Sequence, residues 1–178
     1  HKQRNLGMNT SRADTIWRLM TPDDLDHVTA LAATVHPDYP EETAIFAERL
    51  RLAPDGCLSL MQKGQLLGYL ISHPWRGLLS PPLNTLLGVL PTPAERWYIH
   101  DLALAPPVRG QGYAQMAIAQ AENAARAHGL STLTLTSTRH ALQFWARQGF
   151  APEKVSVEEQ AILASYDPQA SLLSRPVG

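Results

Sequence analysis

The sequence predicts an α/β fold with a mixed central sheet of about six to seven strands flanked by about four helices. Segments of apolar and β-branched residues alternate along the chain with segments of helical periodicity. A strand, an alanine-rich helix and a second strand follow one another over residues 97–137, and this unit implies a crossover between two parallel strands. The length of 178 residues suits one compact domain. The predicted order is β-α-α-β-β-β-α-β-α-β-β.

The N-terminal half is predicted to hold a strand, two helices and a hairpin. The polar first 13 residues are expected to be flexible. Thr21 and Pro22 suit the N-cap and first turn of a helix. The predicted elements are a strand at 15–20, a helix to about His36, a helix from about Glu41 to Pro54, and hairpin strands at 57–62 and 65–72. Residues 73–96 contain five prolines and are predicted to form an irregular loop.

The C-terminal half has the sharper pattern. Ala114, Ala117, Ile118, Ala121 and Ala125 fall on one face of a helix that Gly129 ends. The other predicted elements are strands at 96–105 and 131–137, a short helix at 139–150, and two strands near 153–159 and 170–177.

Composition excludes several classes of function. Fifteen basic against sixteen acidic residues leave a net charge of −1, so we expect no nucleic-acid or membrane partner. No apolar run is long enough to span a bilayer and no signal peptide precedes the domain, so a cytoplasmic location is expected. Cys57 is the single cysteine and is expected to be a packed strand residue. No histidines show ligand spacing, so no metal site is predicted.

The stretch "PPVRGQGYAQM" (106–116) joins a predicted strand to the alanine-rich helix and suits an anion. Free N–H groups at a helix start bind phosphate, and Gly110 and Gly112 let the backbone approach it closely. Arg109 adds a matching charge. A plain tight turn explains the same letters, and the spacing alone leaves both interpretations open. A dinucleotide fingerprint is absent because Gln115 replaces its third glycine, and no Gly-Lys-Ser/Thr follows to make a P-loop.

Taken with its neighbours, this stretch resembles the acyl-CoA-binding motif of the GCN5-related N-acetyltransferase (GNAT) superfamily. The pattern of Arg or Gln, two residues, Gly, one residue, and Gly or Ala is filled by Arg109, Gly112 and Ala114. "DLALAP" before it and "ALQFWARQGF" after it are also similar to family motifs, and the ending "SYDPQASLL" is of a type seen in bacterial members. The resemblance implies a GNAT fold, a single acetyltransferase domain at 14–178, and acetyl-CoA as co-substrate.

The resemblance also implies which residues bind the co-substrate. The backbone of Leu102, Ala103 and Leu104 would pair with the pantetheine arm, and the loop from Arg109 to Ala114 would hold the pyrophosphate. The full set implied to bind the cofactor is Leu102, Ala103, Leu104, Arg109, Gly110, Gln111, Gly112, Tyr113, Ala114, Thr138, Phe144 and Trp145. The reaction implied is direct attack of an amine, on a small molecule or a peptide, at the acetyl thioester.

His100 is the predicted general base. It stands where many relatives have an acidic residue, and an imidazole with a reference pKa of about 6.5 suits proton removal at neutral pH. The alternative is a hydrogen-bonded histidine on a buried strand. Strand alternation places Asp101 on the opposite face, so it is expected to anchor a loop or orient another side chain.

Two departures from the family leave alternatives open. Thr138 replaces a frequent asparagine, and Trp145 replaces the tyrosine that commonly protonates the leaving thiolate, which an indole cannot do. Either Tyr98, Tyr113 or Tyr166 supplies that proton or the thiolate leaves unprotonated. A catalytically impaired acyl-CoA-binding module and an unrelated small nucleotide-binding protein are the competing hypotheses. The apolar loop "LLSPPLNTLLGVL" either lines an acceptor pocket or forms a homodimer surface.

Overall fold

The computed structural model describes residues 14–178. Its centre is a seven-stranded mixed sheet. The flexible segment predicted for residues 1–13 lies outside the described residues. The strands are β1 Thr15–Leu19, β2 Cys57–Gln62, β3 Gln65–Trp75, β4 Arg96–Leu104, β5 Thr132–Ser137, β6 Ala151–Pro152 and β7 Ser171–Pro176. The helices are α1 Leu25–Val35, α2 Thr43–Leu52, α3 Tyr113–Ala127, α4 Leu142–Arg147 and α5 Val157–Tyr166.

The strand order is β1-β2-β3-β4-β5-β7-β6, and β4 and β5 are its parallel pair. The parallel pairing confirms the crossover predicted for residues 97–137. The sheet separates two apolar cores. On one face, Ala117, Ala121 and Ala125 of α3 pack with Trp97 and Leu133. On the other face, α1 and α2 pack against β3.

The start of α1 is held by a buried acidic side chain. Asp24 accepts hydrogen bonds from the Thr21 backbone N–H at 2.9 Å and from Ser59 Oγ at 2.9 Å, and it pairs with Arg18 at 2.7 Å. The hydrogen bond from Arg18, together with the other donors, lowers the pKa of Asp24 to about 2 against the opposing effect of burial. This cluster therefore ties β1 and β2 to the first helix.

The predicted strand at 153–159 is wrong, because residues 157–166 form α5. Ser156 caps this helix: its Oγ accepts from the Glu159 N–H at 3.0 Å, while Glu159 Oε1 accepts from the Ser156 N–H at 2.6 Å. The reciprocal cap begins a helix here, so the chain does not continue as a strand. The chain consequently has five helices in the described part, one more than predicted.

The predicted loop at 73–96 is shorter than expected. Residues 73–75 extend β3 and pair with residues 96–98 of β4, so the irregular segment covers 76–95. Pro74 is accommodated within this pairing, opposite Trp97. Cys57 is fully buried, and burial raises the pKa of its thiol to about 12, which agrees with a packing role. In the part of the chain described, no helix is both long and apolar enough to cross a membrane.

Candidate active site

The loop between β4 and α3 leaves the start of α3 open. Gly110 and Gly112 have φ values of 75° and 88°, in the left-handed region that favours glycine. A Cβ atom on either residue would meet nothing within 4 Å, so the backbone there faces open space. Arg109 lies beside the glycines and donates from Nε to the Leu104 carbonyl at 3.0 Å. An anionic group fits this loop because a helix N-terminus presents free N–H groups and favours negative charge.

One edge of β4 is open along its second half. β4 pairs with β3 as far as Leu104, but it pairs with β5 only over residues 97–99. Among the described residues, no strand pairs with the β5-facing edge of residues 100–104. Such an edge can take an extended group as an added strand.

A β-bulge in β4 determines which side chains face the pocket. Ile71 is opposite Asp101 and Ser72 is opposite Ile99, so His100 is the extra residue. His100 and Asp101 therefore both line the same pocket, next to each other. The prediction that strand alternation sends Asp101 to the opposite face is wrong, because the bulge shifts the alternation by one residue.

His100 forms a buried pair with Glu41 of the α1–α2 connection. His100 Nε2 lies 2.7 Å from Glu41 Oε1, and the two side chains are 3% and 6% exposed. The second carboxylate oxygen accepts from the Asn84 N–H at 2.9 Å. Burial would raise the pKa of Glu41, but the charge and hydrogen bond of His100 and the Asn84 N–H hold it below its ordinary value. An ionised carboxylate only accepts, so His100 donates Nε2–H and the lone pair of a neutral ring is at Nδ1. That Nδ1 is buried and has no partner in the described structure.

A second imidazole–carboxylate pair lines the same pocket. His36 Nε2 lies 2.9 Å from Asp101 Oδ1, and Tyr69 donates its hydroxyl to Asp101 Oδ2. Burial lowers the pKa of His36, but the hydrogen bond and charge of Asp101 outweigh it and the pKa lies above its ordinary value. The His36 side chain is 32% exposed, so this pair is nearer to solvent than the Glu41–His100 pair. Asp101 thus orients another side chain, as one expectation from the sequence had it.

These side chains surround a pocket of about 140 Å³ between the diverging ends of β4 and β5. Its polar wall holds the two pairs just described. Its other wall comes from β5 and α4. The lining residues are His36, Tyr39, Glu41, Leu83, Ile99, His100, Asp101, Leu102, Leu135, Thr136, Ser137, Thr138, Ala141, Trp145 and Tyr166.

The predicted site residues fall into three groups. His100, Leu102, Thr138 and Trp145 line the pocket. Ala103 is buried in the core on the α1–α2 face, so only its backbone is available for the role predicted. The other predicted residues lie outside the pocket. The residues from Arg109 to Ala114 form the separate loop at the start of α3, and Leu104 packs beside Val108. The Phe144 ring contacts the Trp145 ring edge-on, with 4.9 Å between the ring centroids.

Three tyrosines were weak candidates for protonating a leaving thiolate. Tyr98 is buried with its hydroxyl bonded to Thr136, and burial raises its pKa to about 12. Tyr113 is buried at the first turn of α3 and does not line the pocket. Tyr166 does line the pocket, but it donates its hydroxyl to the Pro81 carbonyl, and burial raises its pKa. None of the three offers an uncommitted proton to the pocket.

Sequence reasoning missed that His36, Tyr39 and Glu41 line the pocket. All three belong to "HPDYPEE", which was interpreted only as the end of one helix and the start of the next. The available signal was a dense group of polar and aromatic residues in a short connection, where functional side chains concentrate.

Comparisons with known proteins identify the family and the fold. The model of the acetyltransferase (GNAT) family matches residues 16–150. No curated protein matches the sequence. Among solved structures, the GNAT-like decarboxylase GphF in complex with isobutyryl-CoA has a TM-score of 0.75 at 17% identity, over 92% of this chain and 100% of that one.

Two structurally similar proteins carry bisubstrate analogues. Naa20 from Chaetomium thermophilum has a TM-score of 0.68 at 20% identity, over 91% of this chain and 86% of its own. Naa50 from Arabidopsis thaliana, in complex with CoA-Ac-MVNAL, has a TM-score of 0.64 at 13% identity, over 91% and 98%. At these identities the structural likeness shows the fold alone.

Proposed function

The chain belongs to the acetyltransferase (GNAT) family, and from this premise we propose that it is an acetyl-CoA-dependent N-acetyltransferase acting on the amine of a small molecule or peptide. The observation that carries the proposal is the buried Glu41–His100 pair beside the open edge of β4. The pair would provide a proton acceptor next to an edge that can hold an extended thioester.

The donor would be held by backbone more than by side chains. The N–H groups of the Gly110–Ala114 loop would bind the pyrophosphate, and the open edge at Leu102–Leu104 would pair with the pantetheine arm. Thr138, Phe144 and Trp145 would flank that arm from the side of α4. Bound acetyl-CoA supplies the acetyl group as an activated thioester, and a β4 N–H would polarise its carbonyl. The fit rests on the left-handed glycines and on the unpaired edge.

His100 would take the proton of the attacking amine. Its Nδ1 carries the lone pair because Nε2–H is committed to Glu41. The Glu41 carboxylate fixes the tautomer and stabilises the imidazolium that forms. Glu41 is thus a positioning residue, and His100 is the residue that touches the amine.

His36 would return a proton to the departing thiolate. Trp145 cannot serve because an indole N–H is not acidic. His36, oriented by Asp101, is held in its protonated form more readily than a free histidine. Asp101 immediately precedes Leu102, where the open edge meets the pocket, so His36 would lie beside a thioester held at that edge.

The test is a transfer assay that separates binding from chemistry. Purified protein is titrated with acetyl-CoA, CoA, ATP and NAD by thermal shift, and then incubated with acetyl-CoA and a panel of amines. We expect stabilisation by CoA compounds only, release of free thiol, and an amide detected by mass spectrometry. Stabilisation by acetyl-CoA with no amide from any amine would favour the impaired acyl-CoA-binding module. Stabilisation by ATP or NAD alone would favour the nucleotide-binding alternative.

A further inference from the structure

The irregular segment 76–95 is tied to the rest of the molecule at several points around the acceptor side of the pocket. Glu41 and Glu42 exchange hydrogen bonds with Asn84, each at 2.9 Å. Glu48 accepts from the backbone N–H groups of residues 87 and 88, at 2.6 and 3.0 Å. The segment is therefore a fixed cover over the α1–α2 connection, and its length does not make it a free loop.

The same segment is also fastened on the side of β5 and α5. Thr136 donates to Ser80 Oγ at 2.8 Å, and Tyr166 donates its hydroxyl to the Pro81 carbonyl. Ser80 and Pro81 are buried under these contacts. Between the two sets of bonds, Leu83 faces the pocket and lines it together with Tyr39 and Tyr166. The acceptor side of the pocket is thus roofed by one leucine and two tyrosine rings.

The pocket holds two carboxylates, and each is already hydrogen-bonded to a histidine of the lining. Glu41 and Asp101 are its carboxylates, and no lysine or arginine is among its lining residues in the described chain. Arg49 lies behind the wall, fully buried, and is bonded to Glu48 and to the Thr85 carbonyl. A carboxylate on the acceptor would therefore find no lysine or arginine in the lining to pair with, and the two histidines are already committed to Asp101 and Glu41.

We propose that the acceptor is a small primary amine with an apolar or aromatic body and no carboxylate beside the amine. This inference rests on the N-acetyltransferase function and narrows it. The ammonium group would be drawn towards Glu41 and Asp101, and the body would pack against Leu83, Tyr39 and Tyr166. An amino acid is rejected by charge. A peptide is disfavoured by size, because the pocket has a volume of only about 140 Å³.

A matched series of amines separates charge from size. Phenethylamine, phenylalaninamide, phenylalanine and the peptide Phe-Ala-Ala-amide share one ring and one amine. We expect kcat/KM to be highest for phenethylamine, lower for the amide, and reduced on the order of 10- to 100-fold for phenylalanine through like-charge repulsion and for the peptide through size. Thiol release and product mass are measured for each at pH 8.

The outcomes distinguish this inference from the function on which it rests. Transfer to phenylalanine or to the peptide as fast as to phenethylamine would overturn the inference and leave the acetyltransferase function standing. If no member of the series and no other amine is acetylated although acetyl-CoA binds, both proposals are wrong.

A variant pair on the segment provides the second test. Leu83→Ala removes the roof side chain, and we expect the preference for phenethylamine over the peptide to fall roughly 10-fold. Val89→Ala is the matched control, because Val89 lies on the same segment, is 77% exposed, and does not line the pocket. Its preference should match that of the unmodified protein. Equal preferences in the two variants would contradict the assignment of Leu83 to the acceptor pocket.

Discussion

Replacing His100 and Glu41 by glutamine, singly and together, tests whether they form one proton-accepting unit. His100→Gln removes the lone pair at Nδ1, and a positioned base contributes on the order of 10² to 10⁴ in rate. We expect kcat with phenethylamine at pH 7 to fall by that factor. Since the free-base fraction of the amine rises tenfold per pH unit below its own pKa, much of the loss should return between pH 8 and 10.

The effect of Glu41→Gln can be sized from the geometry. At the 2.7 Å separation of Nε2 and Oε1, two unit charges at an effective dielectric of about 20 attract by roughly 6 kcal/mol before desolvation is subtracted. Hydrogen bonds to charged groups retain about 1.5–3 kcal/mol of net stabilisation. Loss of this amount from the imidazolium form corresponds to roughly 10- to 100-fold in kcat.

The double variant decides whether the two residues act together. If Glu41 works through His100, the double variant should be no slower than His100→Gln alone. His128→Gln is the control, because His128 pairs with Asp55 at the same 2.7 Å distance on the exposed surface, and its kcat should be unchanged. The reasoning is refuted if the kcat losses of the two single variants multiply in the double variant. It is also refuted if His100→Gln keeps the pH profile of the unmodified protein. Acetyl-CoA titrations check that donor binding survives in each variant.

Four further changes have defined outcomes. Trp145→Phe should keep kcat within about threefold, since an indole is no acid; a hundredfold loss of thiol release would contradict this. His36→Gln should lower kcat roughly 10- to 100-fold. In the unmodified protein the rate should decline at alkaline pH, because the imidazolium acid is lost above its raised pKa, and the variant should lack this decline. An unchanged pH–rate profile would count against the role of His36. Gly112→Ala, at a φ of 88°, should cost about 1–2 kcal/mol in urea unfolding and weaken acetyl-CoA binding by calorimetry. Asp24→Asn should lower the free energy of unfolding by about 2 kcal/mol at pH 7. The pKa of Asp24 is about 2 in the folded protein, below its unfolded value, so this stabilisation is complete above about pH 4 and is lost as the pH falls towards 2. Urea unfolding of both proteins at pH 7, 4 and 2.5 would show it.

The open loop before α3 could be predicted from sequence because its conformation depends on local backbone. Glycines at 110 and 112 and the arginine at 109 are contiguous, and the loop they form needs no distant contact to be recognisable. The alanine face of α3 was predicted for the same reason: helical periodicity is a short-range signal, and all five predicted residues are buried.

The paired side chains of the pocket could not be predicted because they come from residues far apart in sequence. Glu41 and His100 are separated by 59 positions, and no local pattern brings them together. The bulge at His100 is equally hidden, since the letters around it are those of an ordinary strand. The capping box at Ser156 is a short-range signal that was present in the sequence, but the residues after it were predicted as a strand.

The hydrogen bond between the Asn84 N–H and Glu41 Oε2 joins segment 76–95 to the buried imidazole–carboxylate pair. The same carboxylate that holds the Asn84 backbone also orients the His100 ring. The position of this surface segment and the alignment of a buried histidine are therefore coupled through one side chain, and a substitution in the segment that shifts the Asn84 backbone would be felt at His100 without touching it.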